Sequence, residues 1–231
     1  MHQLSALTCY LALAVAPLVV YGFDFLNPVA FGWGFRHGTV PMPPDIAERA
    51  DRVGRYSQFP RHALLVVLIL LLVSRYRIPI VQVGLRFEDW PLHLFTGCTA
   101  GLLWVAAVQR SVFHVFPVIR PGLATNYLQK GPALCWVLVF ITGAFAEEFW
   151  LAFCLFALRN TGHSIAVSVS LVAIFFGAAH AGLGFGALAK GTFGIGAALL
   201  YVWSGSLVAT YPAHLISNLG SLYWIRRTRL R

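Results

Sequence analysis

Charge is what this sequence has least of. Only 11% of its 231 residues are Asp, Glu, Lys or Arg, and mean hydropathy is +0.73. Soluble domains carry about 25% charged residues, so a soluble globular fold is excluded. Acidic residues are scarcest: after Asp89 the only two are the neighbours Glu147 and Glu148. Cysteine is sparse as well. Cys9, Cys98, Cys135 and Cys154 all lie in apolar segments without CxxC spacing, which argues against disulfides or a cysteine-ligated metal and for buried thiols. Internal repeats and low-complexity tracts are missing, and inverted repeats with paired broken helices are not seen. That weighs against a transporter.

What is present is a series of apolar segments. The class they imply is all-α: a polytopic membrane helix bundle of about seven transmembrane helices. The net charge of +9 does not signal nucleic acid. Its arginines gather between Arg36 and Arg61 and in the tail Arg226, Arg227, Arg229 and Arg231, flanking apolar segments. Arginines so placed set membrane orientation and meet lipid headgroups.

In chain order, the first segment runs from about Leu4 to Phe23. It lacks a basic leader and a small-residue cleavage site, so a retained helix is expected. A polar loop with a short interfacial helix around Glu48–Arg52 precedes the second helix, about Ala63–Val73. That core is short, so the helix must tilt, thin the bilayer or continue into its flanks. An amphipathic connector, Arg75–Trp90, leads to helix three, about Leu94–Val108, and Gln109–Gly131 reads as a connector. Helix four spans about Pro132–Leu158, helix five Ser164–Ala181. A glycine-rich turn, Gly182–Gly191, precedes helix six, about Thr192–Ser204, and helix seven follows at Leu207–Ile225. Residues 1–130 hold the early helices and connectors, residues 131–231 the late helices, within one integrated domain. With seven helices the Arg36–Arg61 loop and the C-terminal tail share a side, the cytoplasmic one by the positive-inside rule.

Glu147 and Glu148 fall inside helix four. An ionisable side chain at bilayer depth costs about 2.5 kcal/mol or more and faces a protein interior or a wet cavity. Two more late helices carry polar groups at helical spacing. His180 follows Phe176 by four residues, and Asn218 follows His214 by four, so each pair shares a helix face. The two glutamates point about 100° apart, so one addresses a common centre and the other supports it. A lone intramembrane His is more often a packing residue. Jointly, a carboxylate, two imidazoles and a carboxamide are the parts that activate water and stabilise an oxyanion.

Glu-Glu, then Phe-x-x-x-His, then His-x-x-x-Asn, in this order on three late helices, resembles the CPBP family. These are the CAAX-protease and bacteriocin-processing intramembrane endopeptidases. The likeness covers about Ala133–Ile225 and includes Gly194-x-Gly196, Leu200-Tyr201 and Ser204-Gly205-Ser206-Leu207, with Gly84-Leu85-Arg86 upstream. It implies a protease whose site is Glu147, Glu148, His180, His214 and Asn218. It also implies a membrane-associated protein or peptide as substrate, and a prokaryotic cytoplasmic membrane as location. A zinc form would use Glu147, His180 and His214; the metal-free form is preferred, because these ligands come from three helices with no short metal motif. No His-Glu-x-x-His occurs and no aspartate lies in a late helix, so other intramembrane protease types fit poorly. One departure stands out. The family's arginine five residues after the first glutamate is Ala152 here, leaving Glu148 without an evident partner and keeping open a non-catalytic relative acting as an immunity factor or scaffold. Segment counting also sets His214 and His180 at different depths. A helix boundary must shift, or helix six must break at its glycines, if the motifs are to meet.

Overall fold

The computed structural model describes residues 5–25, 44–109, 132–180 and 186–227. Among them are seven α-helices and no strand: α1 (Ala6–Phe25), α2 (Pro44–Tyr76), α3 (Trp90–Leu103), α4 (Ala133–Asn160), α5 (Ile165–Ala178), α6 (Gly186–Ser204) and α7 (Leu207–Arg227). A 3₁₀ turn, Ile80–Val83, precedes α3, and a π-helical turn, Trp104–Gln109, continues it. Tyr56–Tyr76, Trp90–Gln109 and Ala133–Asn160 are each long and apolar enough to cross a bilayer. The protein is an all-α integral membrane protein.

Three expectations are corrected. The interfacial helix and the second helix are one unbroken α2, which runs through Pro60; the short apolar core is completed by its flank. The turn read over Gly182–Gly191 is helical from Gly186 onward. Helix six therefore does not break at Gly191, Gly194 or Gly196. Instead α5 stops at Ala178, so His180 sits in the turn beyond it. The stretch 110–131 lies outside the described residues.

Helix α4 is the axis of the bundle. From Phe149 to Leu155 every side chain is buried, as are Ala157 and Leu158, the pattern of a helix enclosed on all faces. It ends at Thr161, whose hydroxyl donates to the Ala157 and Leu158 carbonyls at 3.2 and 3.0 Å. Ser164 then caps α5 by accepting the Val167 N–H. So short a connection makes α4 and α5 antiparallel neighbours. Helix α1 is tied to this axis where the Trp150 indole N–H donates to the Ala12 carbonyl at 2.8 Å.

One end of the bundle is closed by loop contacts. Gly84, held at φ +95°, gives its carbonyl to the Leu207 N–H at 2.9 Å. A Cβ there would stand 2.9 Å from both the Leu207 side chain and the Tyr201 ring, so a left-handed turn and a close approach both select glycine. The Ser206 hydroxyl donates to the Arg86 carbonyl at 2.6 Å.

Helix α7 is set against α3 by small residues. Gly97 and Gly101, four apart, lie on the α7 backbone at Ala209 and Ala213, the small-xxx-small contact that lets membrane helices approach. Pro212, inside α7, packs its ring over Gly97. At the end of the π turn Gln109 donates to the Ser217 carbonyl at 2.7 Å and to the Ser217 and Ser221 hydroxyls. Ser217 adjoins Asn218, so this clamp fixes the rotation of the helix that carries the last motif. A Gly97→Ala exchange drives a methyl into the Ala209 carbonyl and is expected to cost about 1–3 kcal/mol. Gly196→Ala, which meets nothing within 4 Å, is expected to be neutral. Thermal unfolding in detergent, followed by tryptophan fluorescence, reads both.

Candidate active site

The three motifs converge on the Glu147 carboxylate. Its Oε2 lies 3.6 Å from Nε2 of His180 and 3.5 Å from Nε2 of His214. Glu147 Oε2 and His214 Nε2 are buried and neither has a hydrogen-bond partner. The α4 backbone turns Glu148 to another side, where its Oε1 receives His214 Nδ1 at 2.8 Å. Both Glu148 and His214 are wholly buried. The partner that could not be identified for Glu148 from sequence is therefore the imidazole of the last motif.

The second nitrogen of each histidine sets its tautomer. A carboxylate only accepts, so His214 Nδ1 carries the proton toward Glu148. His180 Nδ1 lies 2.8 Å from the Phe176 carbonyl, also an acceptor. In their neutral forms both rings thus present Nε2 lone pairs to the Glu147 side. Phe176 and Phe193 frame them: ring centroids are 4.9 Å apart for Phe176–His180, 5.6 Å for Phe176–His214 and 5.0 Å for Phe193–His214. Helix α6 reaches this position because Gly194 lies flat on Ala173 and Phe176 of α5.

Asn218 does not meet the glutamates through a direct bond. Its Oδ1 accepts from Lys190 Nζ at 2.8 Å, and Lys190 is within electrostatic reach of both Glu147 and Glu148. Ala152, at the position of the missing arginine, is fully buried in the core.

Sequence reasoning missed three members of this cluster. Lys190 was hidden in a stretch read as a turn. Phe193 looked like any apolar residue. His62 was taken as the edge of a helix. Its ring lies on Gly143, where a Cβ would be 2.9 Å from Cε1, and its Nδ1 is 3.0 Å from the Thr142 hydroxyl. That hydroxyl donates to the Leu138 and Val139 carbonyls, so His62 Nδ1 donates to it. A signal was available for Lys190: a lysine within an otherwise apolar, glycine-spaced segment.

The two Nε2 atoms face one carboxylate with each Nδ1 bonded away, as in metal-ligating histidines. Among the described residues no group of three His, Cys, Asp or Glu side chains is arranged to hold an ion.

The fold and these polar groups define a membrane helix bundle with a buried carboxylate–imidazole centre. Residues 129–220 match the family described as Type II CAAX prenyl endopeptidase Rce1-like. This segment is thus similar to the CPBP, or CAAX protease, family, whose members act as proteases on membrane-associated proteins. Searches of curated proteins and of solved structures returned no match.

Glu148→Leu strands the buried His214 N–H and is expected to lower stability by about 1–3 kcal/mol. Glu147→Leu should cost less, since that carboxylate's contacts to the two imidazoles are 3.5 and 3.6 Å. Melting curves of the two variants in one detergent check the order.

Proposed function

We propose that this protein is an intramembrane endopeptidase that hydrolyses a peptide bond in a membrane-associated protein or peptide, using water activated by Glu147 with histidine help. The observation that carries the reading is the convergence of two imidazole Nε2 atoms on one buried carboxylate oxygen that lacks a hydrogen-bond partner. A water placed there donates one O–H to Glu147 and the other to His180 Nε2. As its oxygen attacks the scissile carbonyl carbon, Glu147 takes its proton, and the C=O electron pair becomes the oxyanion. Collapse breaks the C–N bond, and Glu147 returns the proton to the leaving nitrogen.

His214 acts as an oxyanion donor only when both ring nitrogens carry protons. Glu148, bonded to Nδ1, balances the charge of that form, the part an aspartate plays behind a catalytic histidine. Asn218 supplies neutral donors, and an oxyanion donor of this kind is worth about 3 kcal/mol. Phe176, Phe193 and the Trp150 ring stacked on Phe176 keep the centre apolar, which strengthens each of these interactions.

The reading is tested by comparing the membrane peptidome of cells carrying wild-type protein with that of cells carrying Glu147→Gln. Specific cleavage products are expected to vanish in the variant. Unchanged products would sink the mechanism, and retained binding to the same protein would then favour a scaffold.

The orientation is part of the proposal: the tail after α7 faces the cytoplasm, because its arginines adjoin the helix end. An Arg229→Cys label site should react with a membrane-impermeant maleimide in inverted vesicles and not in intact cells. Labelling confined to the outer face would reverse the assignment.

A further inference from the structure

The proposed reaction has a surplus of acceptors. Glu147 and the neutral forms of both histidines offer lone pairs to the centre, whereas an oxyanion needs N–H or O–H donors. Asn218, one turn beyond His214 on α7, is a candidate, but a carboxamide presents either its oxygen or its NH₂ depending on how it is flipped, and contacts decide the flip.

The contact that decides it is Lys190. Its ammonium has three donors and no acceptor, and Nζ lies 2.8 Å from an Asn218 atom that must therefore be Oδ1. The NH₂ group is thereby turned away from Lys190 and left for another acceptor. Asn218 is buried and Lys190 half-buried, so bulk water competes little for this bond. Lysine occurs only at 130 and 190 in the sequence, so Lys190 is not a routine surface filler. A cation at this depth is tolerated when opposite charge is close, and Glu147 and Glu148 supply it from α4. His180 at the end of α5, His214 on α7 and His62 on α2 complete the ring of titratable groups around Glu147.

We infer that Lys190 is a positioning residue of the hydrolytic centre: from α6 it locks the Asn218 carboxamide with NH₂ toward the oxyanion. This rests on the proposed peptidase reading. It also gives the centre a fixed cation from a different helix than the one where the resemblance expects arginine.

The probe is the peptide segment found in the Glu147→Gln comparison, synthesised with its flanks and assayed in micelles. Lys190→Met keeps the aliphatic stem and removes the charge. It is expected to lower kcat by about 10–100-fold, below the loss for deleting a whole oxyanion donor, with KM within about twofold. Lys190→Arg should recover part of the rate. In an Asn218→Ala background the Lys190→Met loss should largely disappear, because a residue acting through Asn218 has nothing left to position. Full activity in Lys190→Met, with Glu147→Gln inactive, overturns the inference and leaves the peptidase reading standing. So do losses that multiply in the double variant. Products indifferent to Glu147 overturn both. A readout independent of turnover is the ¹⁵N–¹H correlation of the Asn218 side-chain NH₂, assigned with Asn218→Ala. It should shift in Lys190→Met and return toward the wild-type position in Lys190→Arg; an unmoved signal overturns the inference.

Discussion

The fold hangs on the cost of keeping two carboxylates inside a membrane bundle. Glu148 is wholly buried and Glu147 has one carboxylate oxygen buried, so each is met by groups brought from elsewhere in the chain. The groups that approach them come from the turn after α5, from α6 and from α7: His180, Lys190 and His214. His214 and Lys190 fix the rotation of the helices carrying them. Much of the late bundle can be understood as the geometry that lets three helices meet one turn of α4.

That geometry is obtained with backbone contacts more than with large side chains. In lipid there is no hydrophobic drive between helices, so close approach and interhelical hydrogen bonds hold them. Gly97 and Gly101 bring α3 onto α7, and Gly194 brings α6 onto α5. The π turn then delivers Gln109 to Ser217. A one-residue slip of α7 would turn His214 by about 100° away from Glu148, and the Gln109 clamp, together with the seat of Pro212 on Gly97, opposes that slip.

The seven helices among the described residues and the order of the three motifs were legible because long apolar runs and i, i+4 pairs are local signals. The interior carboxylates were legible because charge is so rare in this sequence. Less visible were features whose cause lies in another helix. Polar residues ahead of Ala63 masked the continuation of α2, although helix formation needs only intact backbone bonding, and Pro60 interrupts that at a single carbonyl. The glycines near Lys190 suggested a turn, but Gly191 and Gly194 face α5, where their small size serves packing. The meeting of His180 and His214 on one oxygen depended on α5 ending early and α6 beginning early, boundaries that no single residue announces. His62 belonged to a segment with no motif at all.

The two histidines differ in how their proton placement is stored. For His214 it is written in the side chain of Glu148, and a mutation at that position can rewrite it. For His180 it is written in the Phe176 carbonyl, a main-chain atom that every amino acid possesses. Genetic drift at position 176 can alter the ring that frames the imidazole but cannot delete the acceptor that orients it. One half of the centre is thus buffered against substitution by the peptide backbone, while the other half depends on a single codon.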